Sequence, residues 1–279
     1  VMINLLNILL NWMLIFGRAG FPRMEVRGAA LASVLSMTAG LLVYVAVIHL
    51  RILRPIGYRG KARICPRIMG RILRISPPRA AQSVSATGFV VFLSLAGRLG
   101  VPELAISNII FKAFNFSLMM GMSIGTASAT LAGRSLGEND PGRAEEYGWH
   151  SAGLGAIVMG VIGICFMFFP REIMGLFTGN RATVEIGVIP FRLLGALQII
   201  DGVGVVFSRT LQGTGNTVFV MISEIICIWA ILIPAAWLSV EVLGGGLLLT
   251  WTSIYLYIVS FASLTTWKFR EGGWKNVRI

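Results

Sequence analysis

The chain has 279 residues, 56% hydrophobic and 13% charged, with mean hydropathy +0.79, a balance that excludes a soluble globular domain. The net charge of +12 does not indicate nucleic acid: nine Lys/Arg and no acid lie between Arg51 and Arg79, four Lys/Arg against one Glu follow Trp267, and elsewhere eleven basic residues balance eleven acidic ones. Cys65, Cys165 and Cys227 have no paired spacing and no histidine cluster beside them, so neither a disulfide framework nor a zinc site follows.

A spanning helix takes about 20 apolar residues. Eight stretches qualify, at roughly 1–17, 28–50, 80–97, 104–133, 149–169, 186–209, 216–238 and 245–267. The expected fold is an all-α integral membrane protein, a polytopic helical bundle. The first stretch opens on Val1 without an initiator Met or signal-peptide pattern, so the sequence reads as starting inside a helix. Within it Asn4, Asn7 and Asn11 share one helical face, which is expected either to hydrogen-bond a neighbouring helix or to line a polar cavity. After a short polar turn, Gly28-Ala29-Ala30-Leu31-Ala32-Ser33 opens the next helix with residues small enough for close backbone approach.

The basic stretch 51–79 is expected to lie in the cytoplasm. Arg63, Arg67, Arg71 and Arg74 follow one helical face and Ile64, Ile68, Ile72 and Ile75 an adjacent one, which predicts an amphipathic helix on the membrane surface. Its electrostatic partner would be the anionic lipid of the inner leaflet. Pro77-Pro78 would then begin a new span whose polar side carries Gln82, Ser83, Ser85 and Thr87. Gly121, Gly125, Ala129 and Gly133 recur every four residues, a ladder for tight helix packing, and an Asn-Asp-Pro-Gly turn follows. Lys112 is expected to snorkel outward or make a structural contact.

Residues 198–217, QIIDGVGVVFSRTLQGTGNT, hold the most informative group. Asp201 sits within an apolar span, where a carboxylate costs about 2.5–3.5 kcal/mol and usually handles ions or protons in a cavity. The competing reading is an interhelical hydrogen bond, with Arg209 as a partner. Gln198 joins it as a polar residue of the same helix, and Glu224 is a further membrane carboxylate placed nearer a helix end. Helix parity puts the basic tail on the same side as 51–79.

Glu25-Val26-Arg27-Gly28 recurs as Glu241-Val242-Leu243-Gly244, an offset of 216 residues, each copy expected in a short outer turn that opens a small-residue helix. Such an offset equals six helices of about 36 residues and suggests duplicated halves. The expected organisation is 1–50 as the last two helices of a first lobe, 51–79 as a basic cytoplasmic linker, 80–267 as a six-helix second lobe and 268–279 as a cytoplasmic tail.

Together NILLNWMLIFG with GAALAS, then TLAGRSLGEND, then TLQGTGNT after an acidic helix, and the ending REGGWK resemble the multidrug and toxic compound extrusion (MATE) family. The resemblance covers essentially the whole chain and implies a two-lobe plan whose first four helices would precede this sequence. It also implies export of cationic or amphipathic compounds driven by inward H⁺ or Na⁺, with no organic cofactor, in a monomer of full length in the prokaryotic inner membrane. One branch of that family carries an acid ten residues before the Leu of its Leu-Arg/Gln-Gly turn, the place of Asp201 before Leu211. That branch also has a glutamate eight residues past the proline opening its seventh helix, where this chain has Ala86. Another branch coordinates its cation through positions matched here by Asn7, Asn11 and Ser33. No nucleophile–base pair, phosphate loop or metal cluster suggests an enzyme. The alternatives are a lipid-linked oligosaccharide flippase of the wider superfamily, or a non-transporting truncated membrane protein.

Overall fold

The computed structural model describes residues 2–47 and 65–276, the side chains of 67, 68, 71–83, 86 and 276 excepted. Nine helices carry these residues: α1 Met2–Phe16, α2 Glu25–Val47, α3 Pro66–Gly97, α4 Val101–Gly137, α5 Pro141–Phe168, α6 Pro170–Gly175, α7 Arg181–Gly213, α8 Thr217–Val242 and α9 Leu247–Glu271. No strand occurs among the described residues. Six helices, α2, α4, α5, α7, α8 and α9, are long and apolar enough to cross a membrane; α1 and the Thr87–Gly97 part of α3 are shorter apolar helices. The chain divides into two compact units, Val1–Met69 and Gly70–Ile279.

In the first unit the small residues of α2 set the distance to α1. Gly28, Ala32, Ser36 and Gly40, four residues apart, are its buried positions. A Cβ on Gly28 would lie 2.7 Å from the Leu14 carbonyl oxygen, so only glycine fits there.

In the second unit α7 is the central helix, with α4, α5 and α9 packed on it. The four-residue ladder of α4 faces it: Gly125 abuts Val206 and Arg209, while Gly133 and Ala129 meet Gly213. On another side α5 and α7 cross backbone to backbone, Gly155 against Gly202 and Gly163 against Gly195. The chain after α9 turns at Gly272 (φ +76°) and lays Trp274 on Phe269, with ring centroids 4.9 Å apart.

Several boundaries differ from the sequence expectation. Helix α3 runs unbroken through Pro77-Pro78, because two missing N–H groups leave only the carbonyls one turn earlier without their partners and the chain on either side keeps a helical pattern. The Asn-Asp-Pro-Gly segment is a helix start: Asp140 accepts the Arg143 backbone N–H at 2.9 Å, with Pro141 at the first helical position. The two copies of the Glu-Val-x-Gly repeat are not equivalent. Glu25 opens α2, whereas Glu241 closes α8, since the run Gly244-Gly245-Gly246 interrupts the second copy before α9 begins. In α8 the turns widen to π geometry at Cys227–Leu232 and Leu238–Val242, on both sides of Pro234, whose missing N–H leaves the Ala230 carbonyl without its usual donor.

Candidate functional site

Helix α7 is fixed at its start by Asn180, whose side-chain oxygen accepts from the N–H groups of Ala182 and Thr183 at 3.1 and 3.4 Å. Because α4, α5 and α9 surround this helix, a polar residue in its middle is withdrawn from lipid on most sides. Asp201 is only 5% exposed, and its Oδ2 has no hydrogen-bond partner. It lies on the wall of a cavity of about 370 Å³ together with Phe89, Phe114, Leu118, Met122, Val205, Ser208, Arg209, Gln212, Glu224, Tyr257 and Phe261. Five helices, α3, α4, α7, α8 and α9, therefore contribute to one chamber. Aromatic rings line it in contact: Phe89 meets Tyr257 edge-on at 5.6 Å, and Tyr257 stacks on Phe261 at 5.9 Å. Arg209, two turns beyond Asp201, reaches Gln212 Oε1 at 3.4 Å from the same wall.

Gln198 is fully buried one turn before Asp201, where its Oε1 accepts the Ser117 hydroxyl of α4 at 2.5 Å while its Nε2 is left without a partner. It does not line the Asp201 chamber. In the first unit Asn7, Asn11 and Ser33 do come together. Asn11 donates to Asn7 Oδ1 at 2.9 Å, and Asn7 donates to Ser36 at 3.2 Å and Ser33 at 3.4 Å. Asn11 Oδ1 is buried without a partner. The side chain of Gln82 falls outside the described residues, as do those of Ala86 and the Arg63–Ile75 face. Lys112 is exposed, as a snorkelling residue would be. Arg192 is also exposed, its Nε donating to the Met167 carbonyl at 3.1 Å.

Sequence reasoning ranked Glu224 behind Asp201 and did not single out Tyr257 or Phe89, all of which the structure places on this chamber's wall. The available signal was Glu224 itself, the one acid between Thr217 and Val240. Among the described residues no three His, Cys, Asp or Glu side chains gather as a metal-ligand set.

Six helices long and apolar enough to cross a bilayer make this a multi-pass membrane protein with a carboxylate chamber in its second unit. The MatE family model matches residues 80–238, and the chain belongs to that family. Over 288 residues it is 31% identical to a probable multidrug resistance protein NorM of Thermotoga maritima, covering 98% of this chain and 59% of that one. With a multidrug resistance protein NorM of Burkholderia vietnamiensis it shares 28% over 270 residues, covering 94% of this chain and 58% of that one. The chain thus spans about three fifths of the length of the curated relatives it matches. Among solved structures, MATE in its straight conformation superposes with TM-score 0.86 at 20% identity, covering 97% of this chain and 60% of that one. An outward-facing multidrug resistance MATE family transporter gives 0.84 at 20% identity, over 97% and 60% of the two chains. These likenesses establish the fold.

Proposed function

We propose that the chain acts in a cation-coupled antiporter that exports cationic or amphipathic compounds by alternating access, with Asp201 as the coupling carboxylate and H⁺ or Na⁺ as the driving ion. The single observation carrying this reading is the unpartnered Oδ2 of a nine-tenths buried aspartate facing an aromatic-walled chamber. A carboxylate so placed can take either a proton or a cation, and competition between them couples one flow to the other. The multidrug resistance names of the relatives support the substrate class. An acid-lined chamber argues against an oligosaccharide pyrophosphate as cargo. The same reading puts 51–79 and the basic tail in the cytoplasm, the protein in the prokaryotic inner membrane as a full-length monomer, and the duplicated lobes at 1–50 and 80–267. It assigns Asn7, Asn11, Ser33 and Gln82 to polar cavity walls or cation contacts, whereas Gln198, also expected there, is buried off the Asp201 chamber and bonded to Ser117.

The test is dye efflux from proteoliposomes under an imposed pH gradient, with a Na⁺ gradient as the parallel arm. Asp201→Asn keeps shape and removes titration, so transport under the productive gradient is expected to stop while the protein still inserts. Wild-type rates for the variant under both gradients would make Asp201 a structural residue.

A further inference from the structure

Helices α7 and α9 leave an open groove of about 610 Å³ between them, which shares no lining residue with the Asp201 chamber. Its floor is apolar, made by Ile199, Ile200 and Val203 of α7 with Ala262 of α9. Along one side runs a polar row: Ser263, Thr266 and Arg270 follow an i, i+3, i+7 spacing, which puts them on one face of α9 over about 10 Å of its axis. Two other hydroxyls of this helix spend their protons on their own backbone, Thr252 donating to the Leu248 carbonyl at 3.1 Å and Thr265 to that of Phe261 at 2.9 Å. Ser263 and Thr266 make no such bond, and the exposed Arg270 guanidinium has no hydrogen bond or ion pair among the described residues. Glu271, the other charged residue of the groove, is bonded to Lys268 at 2.6 Å, so the groove offers one uncommitted positive charge. Trp267, 57% exposed on the same wall, is an amphipathic ring of the kind that settles at the level of lipid headgroups.

We infer that this groove binds an anionic glycerophospholipid of the leaflet that the C-terminal end of α9 reaches. The order of the groups fits as well as their charge. Arg270 stands in the last turn of the helix, where its guanidinium fork matches a phosphodiester at headgroup level. Thr266 and Ser263 lie one and two turns deeper, where they donate to ester carbonyls. One acyl chain then continues over Ala262 and the isoleucines of α7. Without such acceptors the two hydroxyls would face hydrocarbon unpaired, which is costly. A free phosphate would leave the apolar floor and both hydroxyls unused. A zwitterionic head would bring an ammonium beside Arg270 while the nearby Glu271 is already held by Lys268.

The experiment is native mass spectrometry of the purified protein in detergent, titrated with phosphatidylglycerol, phosphatidylethanolamine or phosphatidylcholine. One phosphatidylglycerol is expected to bind more tightly than either zwitterionic lipid. Arg270→Gln should weaken that binding about tenfold and Thr266→Val about threefold. Arg143→Gln removes the same charge from an exposed position on α5, outside the groove, and should bind as wild type. Equal affinity for the three lipids, or equal losses in Arg270→Gln and Arg143→Gln, overturns the proposal, because the lipid would then be held as a general annulus. A second measurement locates the chain: phosphatidylglycerol with a diazirine in its acyl chain, cross-linked to the wild-type protein in vesicles, should label peptides holding 199–203 and 262–267. Labelling spread evenly over the exposed faces of all spans also overturns it.

Discussion

Gly202 of α7 and Gly155 of α5 meet through backbone alone: a Cβ on Gly202 would lie 2.7 Å from the Gly155 carbonyl oxygen and 3.0 Å from its carbon. The contact lies one residue beyond Asp201 and holds the carboxylate's helix against α5. No rotamer change can relieve a clash with a carbonyl, so the helices must separate.

Gly202→Ala is therefore expected to destabilise the protein by about 1–3 kcal/mol. Gly153 on α5 is exposed with nothing within 4 Å of its would-be Cβ, so Gly153→Ala should be neutral or gain up to about 1 kcal/mol from helix propensity. Thermal unfolding of both variants in one detergent checks the pair. Equal midpoints would show that α5 and α7 do not cross at this glycine.

The buried Ser117 hydroxyl is the partner that the structure gives Gln198, through Oε1 at 2.5 Å. Ser117→Ala removes the donor and leaves both ends of a fully buried amide unpaired, which should cost about 1–3 kcal/mol. Replacing both residues with apolar ones of similar size should recover much of that loss, because nothing polar is then stranded. The double-mutant cycle is read from unfolding midpoints. Additivity of the two single changes would mean that the bond contributes nothing.

How much of this was legible beforehand depends on whether the signal was local. The all-helical fold and the burial of Asp201 follow from apolar length and one misplaced charge, both written in consecutive residues, but of the eight expected spans only six are helices long and apolar enough to cross, 1–17 and 80–97 giving shorter apolar helices. The ladder at Gly121–Gly133 was visible as spacing and 28–33 as a run of small residues, although their partners, and the continuation of the second series to Ser36 and Gly40, were not. That Glu224 shares a chamber with Asp201 was not legible, because its distance from a helix end says nothing about which way its face turns, which depends on how α8 packs beside α9 and α7. Helix ends were set by caps that run into the loops: Asp140 and Asn180 begin helices several residues before hydropathy rises.

We predict that the Lys/Arg excess of 51–79 keeps that stretch in the cytoplasm. If α3, α4 and α5 each cross the bilayer and the six-residue α6 does not, Asn180 lies on the opposite face. Single cysteines introduced at Gly60 and Asn180 in a cysteine-free background should react oppositely with an impermeant maleimide in intact cells. Labelling of both from one side would overturn the assignment.

The last prediction concerns the C-terminal clasp. Trp274 is fully buried, donates its indole N–H to the Phe269 carbonyl at 2.8 Å and stacks on the Phe269 ring. Phe269 in turn stacks on Phe207 of α7 at 4.4 Å and covers Gly148 of α5, so one aromatic pile ties α5, α7 and the end of α9 together. An ion pair sits beside it, Lys275 Nζ to Glu145 at 2.6 Å, with about a third of each side chain exposed. The two contributions differ in size. Removing a buried tryptophan costs about 3–5 kcal/mol, whereas a partly solvated ion pair contributes about 0–1 kcal/mol. Trp274→Ala is expected to lower the unfolding midpoint sharply and to open the tail to trypsin at Lys268 and Arg270, while Lys275→Gln should shift neither by much. Raising the salt concentration separates them further, since screening weakens the ion pair and leaves the stack intact. A larger loss from Lys275→Gln than from Trp274→Ala at low salt would place the clasp's strength in the charge pair and not in the aromatic pile.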